Sequence, residues 1–152
     1  MSGCTKVVIT DGGRAGAGFK GKARDCFTRA LAIASKMDYR EAYDLTNAVA
    51  KTVRLPPRCR GKSSARLGVH KEVARETMDR LGWVWTPTML VGQGCKVHLR
   101  ADELPRGRIL CSVSKHYVAV VDGVAHDDHD STRGGKRCVY GYWAPPTGGD
   151  DD

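Results

Sequence analysis

Apolar residues recur at helical intervals in the first half of the chain and at strand intervals in the second. Phe27, Ala30, Leu31 and Ala34 fall at i, i+3, i+4 and i+7, the apolar face of a helix whose first turn holds Cys26. Asp38-Tyr39-Arg40-Glu41 pairs a capping residue with an acid three positions on. The helix it starts buries Ala42, Leu45, Thr46, Val49 and Val53. A third amphipathic helix is expected from about Val69 to Leu81, with Val73, Ala74, Thr77, Met78 and Leu81 inward and Gly82 as its stop. Short strands then replace helices: Trp83 to Leu90, Lys96-Val97-His98-Leu99, Arg108–Ser114, His116–Val121, Val124–Asp127 and Cys138–Trp143. Leu104-Pro105-Arg106-Gly107 reads as a turn. Residues 6–10 form an additional short strand ahead of a segment, Asp11 to Lys22, with five glycines in twelve residues and no period.

Helices first and an antiparallel sheet afterwards is the pattern of a segregated α+β domain. At 152 residues the chain has room for one such domain, here taken as 1–144. Residues 1–24 are expected to be a flexible Gly-rich segment, and 145–152 a disordered acidic tail. No apolar run approaches the ~18 residues of a membrane helix. The start lacks a signal-peptide core, since Lys6-Val7-Val8-Ile9-Thr10 breaks at Asp11, so a cytoplasmic protein with no membrane contact is expected. Six cysteines without an export signal are then expected to be reduced, and Cys4, Cys59, Cys95, Cys111 and Cys138 to be packed or plainly exposed. None lies within the short C-x-x-C spacing of a zinc ribbon.

The net charge of +8 is unevenly spread. Residues 1–70 carry 14 Lys and Arg against 5 acids, and residues 71–152 carry 11 against 12. Arg54, Arg58, Arg60, Lys62 and Arg66 share a Pro-containing stretch that reads as an exposed basic loop, a solvated surface first and an anion or partner contact second. It has no aromatic residue to stack on bases, so nucleic acid is not the favoured partner.

Candidate chemistry begins at Asp122-Gly123, a two-residue hairpin turn between β-branched runs. That turn sets Val121 opposite Val124 and Val118 opposite Asp127, making His116 and Asp127 diagonal neighbours on one face. An acid that orients a histidine is half of a nucleophilic triad. Cys26 is the candidate nucleophile, because a helix N-terminus favours a thiolate and Arg24 and Arg29 lie near it in sequence. Asp25 opposes them or caps the helix. His126-Asp127-Asp128-His129-Asp130, with Cys138 beyond, concentrates metal-ligand types, but alternation leaves only Asp127 and His129 on one face. No metal and no cofactor are therefore expected. Trp83, Trp85, Tyr140, Tyr142 and Trp143 are assigned to core and sheet packing ahead of a substrate groove.

Arg24-Asp25-Cys26-Phe27-Thr28-Arg29-Ala30-Leu31, Ser114-Lys115-His116-Tyr117-Val118-Ala119-Val120 and Asp127 together resemble the papain-like cysteine peptidase superfamily. The order is similar to that of its bacteriocin-processing peptidases and small cell-wall amidases, and to a group of small uncharacterised phage-encoded proteins, over residues 20–144. The resemblance implies a papain-like fold, N-terminal helices packed on a C-terminal antiparallel sheet, and a cysteine hydrolase or acyl transferase. Cys26 would be nucleophile, His116 general base, and Asp127 the group that holds the imidazole. The expected partner is a peptide or protein substrate, such as a bacterial host protein, met in the host cytoplasm if the chain is phage-encoded. Such enzymes commonly carry a Gln or Asn oxyanion donor upstream of the cysteine, and none precedes Cys26. The remaining candidates are the Cys26 backbone N–H, Gln93, Lys20 and Lys22. The alternative is a noncatalytic papain-like module that binds a host protein or nucleic acid through its basic N-terminal half.

Overall fold

The computed structural model describes residues 6–20, 24–54, 64–66, 68–89 and 92–146. In chain order these form β1 (Val7–Ile9), α1 (Cys26–Ser35), α2 (Tyr39–Thr52), α3 (Lys71–Arg80), β2 (Val84–Pro87), β3 (Arg108–Val113), β4 (His116–Val121), β5 (Val124–Asp127) and β6 (Val139–Ala144). The sheet order is β1-β5-β4-β3-β6-β2. Every pairing is antiparallel except β1 with β5, which is parallel. The fold is α+β, with helices gathered ahead of a mostly antiparallel sheet.

Both faces of the sheet are covered, and the strands divide their side chains accordingly. Leu110, Ala119 and Trp143 face Phe27, Leu31 and Met78 of the helices. Ile109, Cys111, Val118, Val120 and Val139 point the other way, against Leu99 and Leu104 of the segment before β3. Full burial of a Phe or Leu of this kind contributes roughly 1.5–3 kcal/mol. Helix α1 lies between the sheet and α2, so Thr28 and Arg29 are buried along with its apolar face. Lys36 ends it in the left-handed region at φ 61°.

The hairpin that carries the candidate histidine and acid has the expected register. Asp122 and Gly123 both take positive φ, 49° and 82°, which a two-residue turn of this twist requires. Val121 then pairs with Val124, Val120 with Ala125 and Ala119 with His126. A Cβ on Gly123 would stand 2.9 Å from the Ala101 Cβ, so the turn has no room for a side chain.

Four expectations need correction. Lys96–Leu99 is not a strand: the chain folds back at once, with Arg100 N–H bonded to the His98 carbonyl at 2.7 Å, and only an isolated bridge joins His98 to Cys138. Within 1–24, residues 6–20 are tied down. Thr10 N–H bonds the Asp127 carbonyl at 2.8 Å, the Asp11 carboxylate accepts from Gly13 and Ala15 at 2.9 Å each, and Arg14 is buried. Asp38 precedes α2 without a side-chain capping bond. Cys95 and Cys138 are joined as a disulfide, Cα to Cα 5.8 Å, where reduced thiols were expected. Their separation of 43 residues hides a proximity that arises only when Val139 N–H bonds the Val97 carbonyl at 2.8 Å. Cys111 is a buried free thiol, as assigned, and burial pushes its pKa up. Cys4, Cys59 and the acidic end 147–152 lie outside the described residues. No described helix is long and apolar enough to cross a membrane.

Candidate active site

His116 begins β4 and Asp127 ends β5, so antiparallel pairing brings them to the same end of the sheet. There His116 Nε2 lies 2.6 Å from Asp127 Oδ2. Cys26, in the first turn of α1, sits on the helix that Arg29 ties to the same carboxylate, and it is among the groups that act on the His116 pKa. Burial pulls the His116 pKa down, but hydrogen bonds to Asp127 and Cys26 and their negative charges outweigh it and raise it to about 9. At neutral pH the ring is therefore a cation paired with the Asp127 carboxylate. Tyr117 is pushed up to about 12 by burial and then by the charge of Cys26.

Asp127 is 1% exposed and both its oxygens are engaged. Oδ2 accepts from His116 and from Ser131 Oγ at 2.6 Å. Oδ1 accepts from Arg29 Nη2 at 2.9 Å and from the Asp128 N–H at 2.8 Å. Burial alone would raise its pKa; the His116 and Ser131 bonds and the surrounding positive charge win and hold it well below the usual carboxylate range.

Arg29 does not serve the thiol, as its nearness to Cys26 in sequence suggested. One turn into α1 it spans two buried acids, giving Nη1 to Asp25 Oδ1 at 2.8 Å and Nη2 to Asp127. Asp25 in turn neither opposes the sulfur nor caps the helix with its side chain: its Oδ2 accepts from Tyr39 Oη at 2.6 Å, and that hydroxyl accepts from Arg14 Nη1 at 2.8 Å. The chain Arg14, Tyr39, Asp25, Arg29, Asp127, His116 thus runs from the Gly-rich segment to the candidate histidine. Gly12 seals it, since a Cβ there would meet the Arg29 Cγ at 2.8 Å. The i, i+4 spacing of Asp25 and Arg29 was a usable signal for this link. Nothing in the sequence pattern marked Tyr39, Ser131 or Arg14. A cavity of about 540 Å³ shares Tyr39 with the chain but is lined by Gly12, Gly13 and Arg40, not by the triad.

The oxyanion candidates are not gathered. Among the described residues no hydrogen bond or ion pair joins Gln93 or Lys20 to Cys26: both are exposed, and Lys20 uses its carbonyl to accept from Arg14 at 3.2 Å. Lys22 lies outside the described residues. What remains is the start of α1, where the first N–H groups, that of Cys26 included, lack intrahelical partners. Of the basic loop, Arg58, Arg60 and Lys62 also lie outside the described residues. Arg54 is exposed beyond α2, and Arg66 accepts the Arg24 N–H through its carbonyl at 2.7 Å, so the loop returns beside Cys26. Ala65 is held there by Thr28 Oγ1 at 2.9 Å and Asn47 Oδ1 at 2.8 Å.

His116, Asp127 and His129 offer ligand atoms within 4.8 Å of one another, one more than alternation suggested. The carboxylate they would share is already filled by four donors, one a guanidinium, so a cation there would have to displace them. His126 turns to its own strand, Nδ1 at 3.0 Å from the Val124 carbonyl. Trp83 and Trp143 are core residues, Tyr142 packs partly buried on the far face, and Trp85 and Tyr140 are exposed at the β2–β6 edge. No protein-family model, curated protein or solved structure matches the chain.

Proposed function

We propose that the chain is a papain-like cysteine hydrolase, most simply a peptidase or isopeptidase, with Cys26 as nucleophile, His116 as general base and acid, and Asp127 as its orienting partner. The observation that carries this reading is the 2.6 Å bond from His116 Nε2 to Asp127 Oδ2, on a carboxylate that Arg29 ties to the helix whose first turn holds Cys26. In such a site the thiol proton already rests on His116 as an imidazolium, and the paired thiolate sulfur adds to a carbonyl. The carbonyl oxygen becomes an oxyanion facing the start of α1, where backbone N–H groups and the helix dipole favour negative charge. Collapse breaks the C–N bond, and the His116 proton goes to the departing amine. Water activated by His116 then releases the acyl group and restores the thiolate–imidazolium pair. Asp127 keeps Nε2 protonated and the ring aligned throughout. Among the described residues no side-chain donor reaches the oxyanion position, and going without one costs on the order of 3 kcal/mol of barrier.

Mass-spectrometric labelling tests the reading. Cys26 should react with iodoacetamide faster than free cysteine at neutral pH, and His116→Ala should slow it by about a hundredfold or more. Equal labelling of the two proteins would remove His116 from the reaction. That no side-chain donor is placed among the described residues also favours a second reading, a noncatalytic papain-like module that binds a host protein or nucleic acid through its basic N-terminal half. In that case Cys26→Ala leaves biological function intact, and charge reversal at Arg58, Arg60 and Lys62 abolishes it.

A further inference from the structure

Four cations lie on the two segments that adjoin the candidate histidine and acid. Lys115 directly precedes His116, and Arg133, Lys136 and Arg137 sit on the loop that follows Asp127. Among the described residues none of these four makes an ion pair, and three of them are exposed. The loop is fastened to both working groups of the site. Arg137 Nη2 bonds the Ser114 carbonyl at 2.6 Å, beside the turn into His116, and Ser131 bonds Asp127. Arg137 is held loosely on its other side, Nη1 at 3.5 Å from the Ser131 carbonyl, and its Nε is buried without a partner. Burial and the neighbouring Arg133 charge lower its pKa, against the opposing charges of Asp127, Tyr140 and Cys26. The acids on the same stretch are not ion-paired with these cations: Asp128 lies 3.4 Å from Arg29 and Asp130 accepts from Thr132 N–H and Oγ1.

We propose that Lys115, Arg133, Lys136 and Arg137 form a cationic rim that recognises a carboxylate on the acyl substrate, so that Cys26 acts on acidic peptides. The proposal rests on Cys26 being the nucleophile. Like-charged groups with no ion pair among the described residues favour the arrival of an anion and raise its local concentration. A peptide fits better than a nucleic acid because neither Lys115 nor the loop 131–137 has an aromatic residue on which bases could stack.

Two alkylating reagents of the same size separate the rim from the nucleophile. Iodoacetate is anionic and iodoacetamide neutral; each forms an S–C bond at the Cys26 thiolate and expels iodide, and labelling at Cys26 is read by mass spectrometry. At low salt the iodoacetate to iodoacetamide rate ratio should exceed that of free cysteine by roughly tenfold, and high salt should collapse it. Arg133→Gln with Lys136→Gln should lower the ratio by roughly fivefold, as expected for two charges at about 8 Å in water, with little change in the iodoacetamide rate. A ratio unmoved by the double substitution overturns the rim. An iodoacetamide rate no faster than that of free cysteine instead overturns the nucleophile, while the ratio still reports on the rim. In competition, an oligoglutamate peptide should protect Cys26 better than a single-stranded oligonucleotide of equal charge. The opposite order would assign the rim to nucleic acid and overturn the peptide proposal.

Discussion

The two sides of Asp127 use charge in opposite ways. Toward the interior, Arg29 sits between Asp25 and Asp127, and the three are 5%, 5% and 1% exposed. Toward solvent, the loop 128–137 carries Arg133, Lys136 and Arg137 with no ion pair among the described residues. Buried charges must be matched donor to acceptor, so the inner group fixes distances: it locks the helix that bears Cys26 to the strand that bears Asp127. Exposed charges are solvated wherever they point, so Arg133 and Lys136 fix no distance and shape only the field, whereas the half-buried Arg137 also bonds the Ser114 carbonyl. Position and attraction are thereby assigned to different residues, and they should be separable by substitution.

The largest effect is expected on the inner side. Arg29→Met leaves Asp25 with only Arg14, at 4.0 Å, and Asp127 with only His116 as cationic neighbours, and removing one partner from a buried group of this kind costs about 3–5 kcal/mol. Urea unfolding would measure it. Arg29→Lys restores a charge but not the fork that reaches both acids, so it should recover only part of the loss. A change below about 1 kcal/mol in Arg29→Met, the level of a surface pair, would mean that the bridge is not buried as described.

The outer loop is fastened at its far end by the Cys95–Cys138 disulfide, which spans 43 residues. Its reduction, or Cys95→Ser with Cys138→Ser, should cost about 2–4 kcal/mol, chiefly by freeing the unfolded chain. Thermal unfolding with and without reductant reads this directly. An unchanged midpoint would place the pairing outside the stabilising contacts.

How much of this was legible in the chain follows from how local each cause is. The β4–β5 register could be read because Asp122-Gly123 dictates a two-residue turn, and alternation then places His116 near Asp127 without distant information. The apolar face of α1 was legible for the same reason. The burial of Arg29 was not: a helix covered on one side looks identical in sequence to one enclosed by a sheet and a second helix, and only packing reveals that Arg29 has no water to face. The parallel β1–β5 pairing was hidden because Val7–Ile9 is three residues long and its partner lies over a hundred positions away. The disulfide needed the return of β6 past Val97, a tertiary event. Alternation at Lys96–Leu99 misled, because four residues are too few to separate a strand from a chain crossing the core once at Leu99.

A smaller, pH-dependent effect comes from the centre of the comparison. His116 has a folded pKa of about 9, above its unfolded value of about 6.5. Its contribution to stability is complete below about 6.5 and is lost as pH rises toward 9. Asp127 runs the other way: its folded pKa is depressed, so its contribution is present above about 4 and is lost only as pH falls through the folded value. Unfolding free energy should therefore decline from pH 6.5 to 9, and His116→Gln should flatten that limb while leaving the acid limb of the remaining carboxylates. A decline that persists in His116→Gln would have to come from another group.

The smallest effect on stability should be the most informative for function. Arg133→Gln and Lys136→Gln remove exposed side chains without ion partners, and such changes stay within about 0.5 kcal/mol. The circular dichroism spectrum and urea midpoint should match those of the parent. The neutral-reagent rate at Cys26 should match as well, since neither residue bonds Cys26, His116 or Asp127 among the described contacts. Only the preference for an anionic reagent should fall. If stability falls too, by more than about 1 kcal/mol as surface positions of this kind do not, then the loop holds Asp127 in place as Arg29 does and the two sides of the carboxylate do not differ in kind.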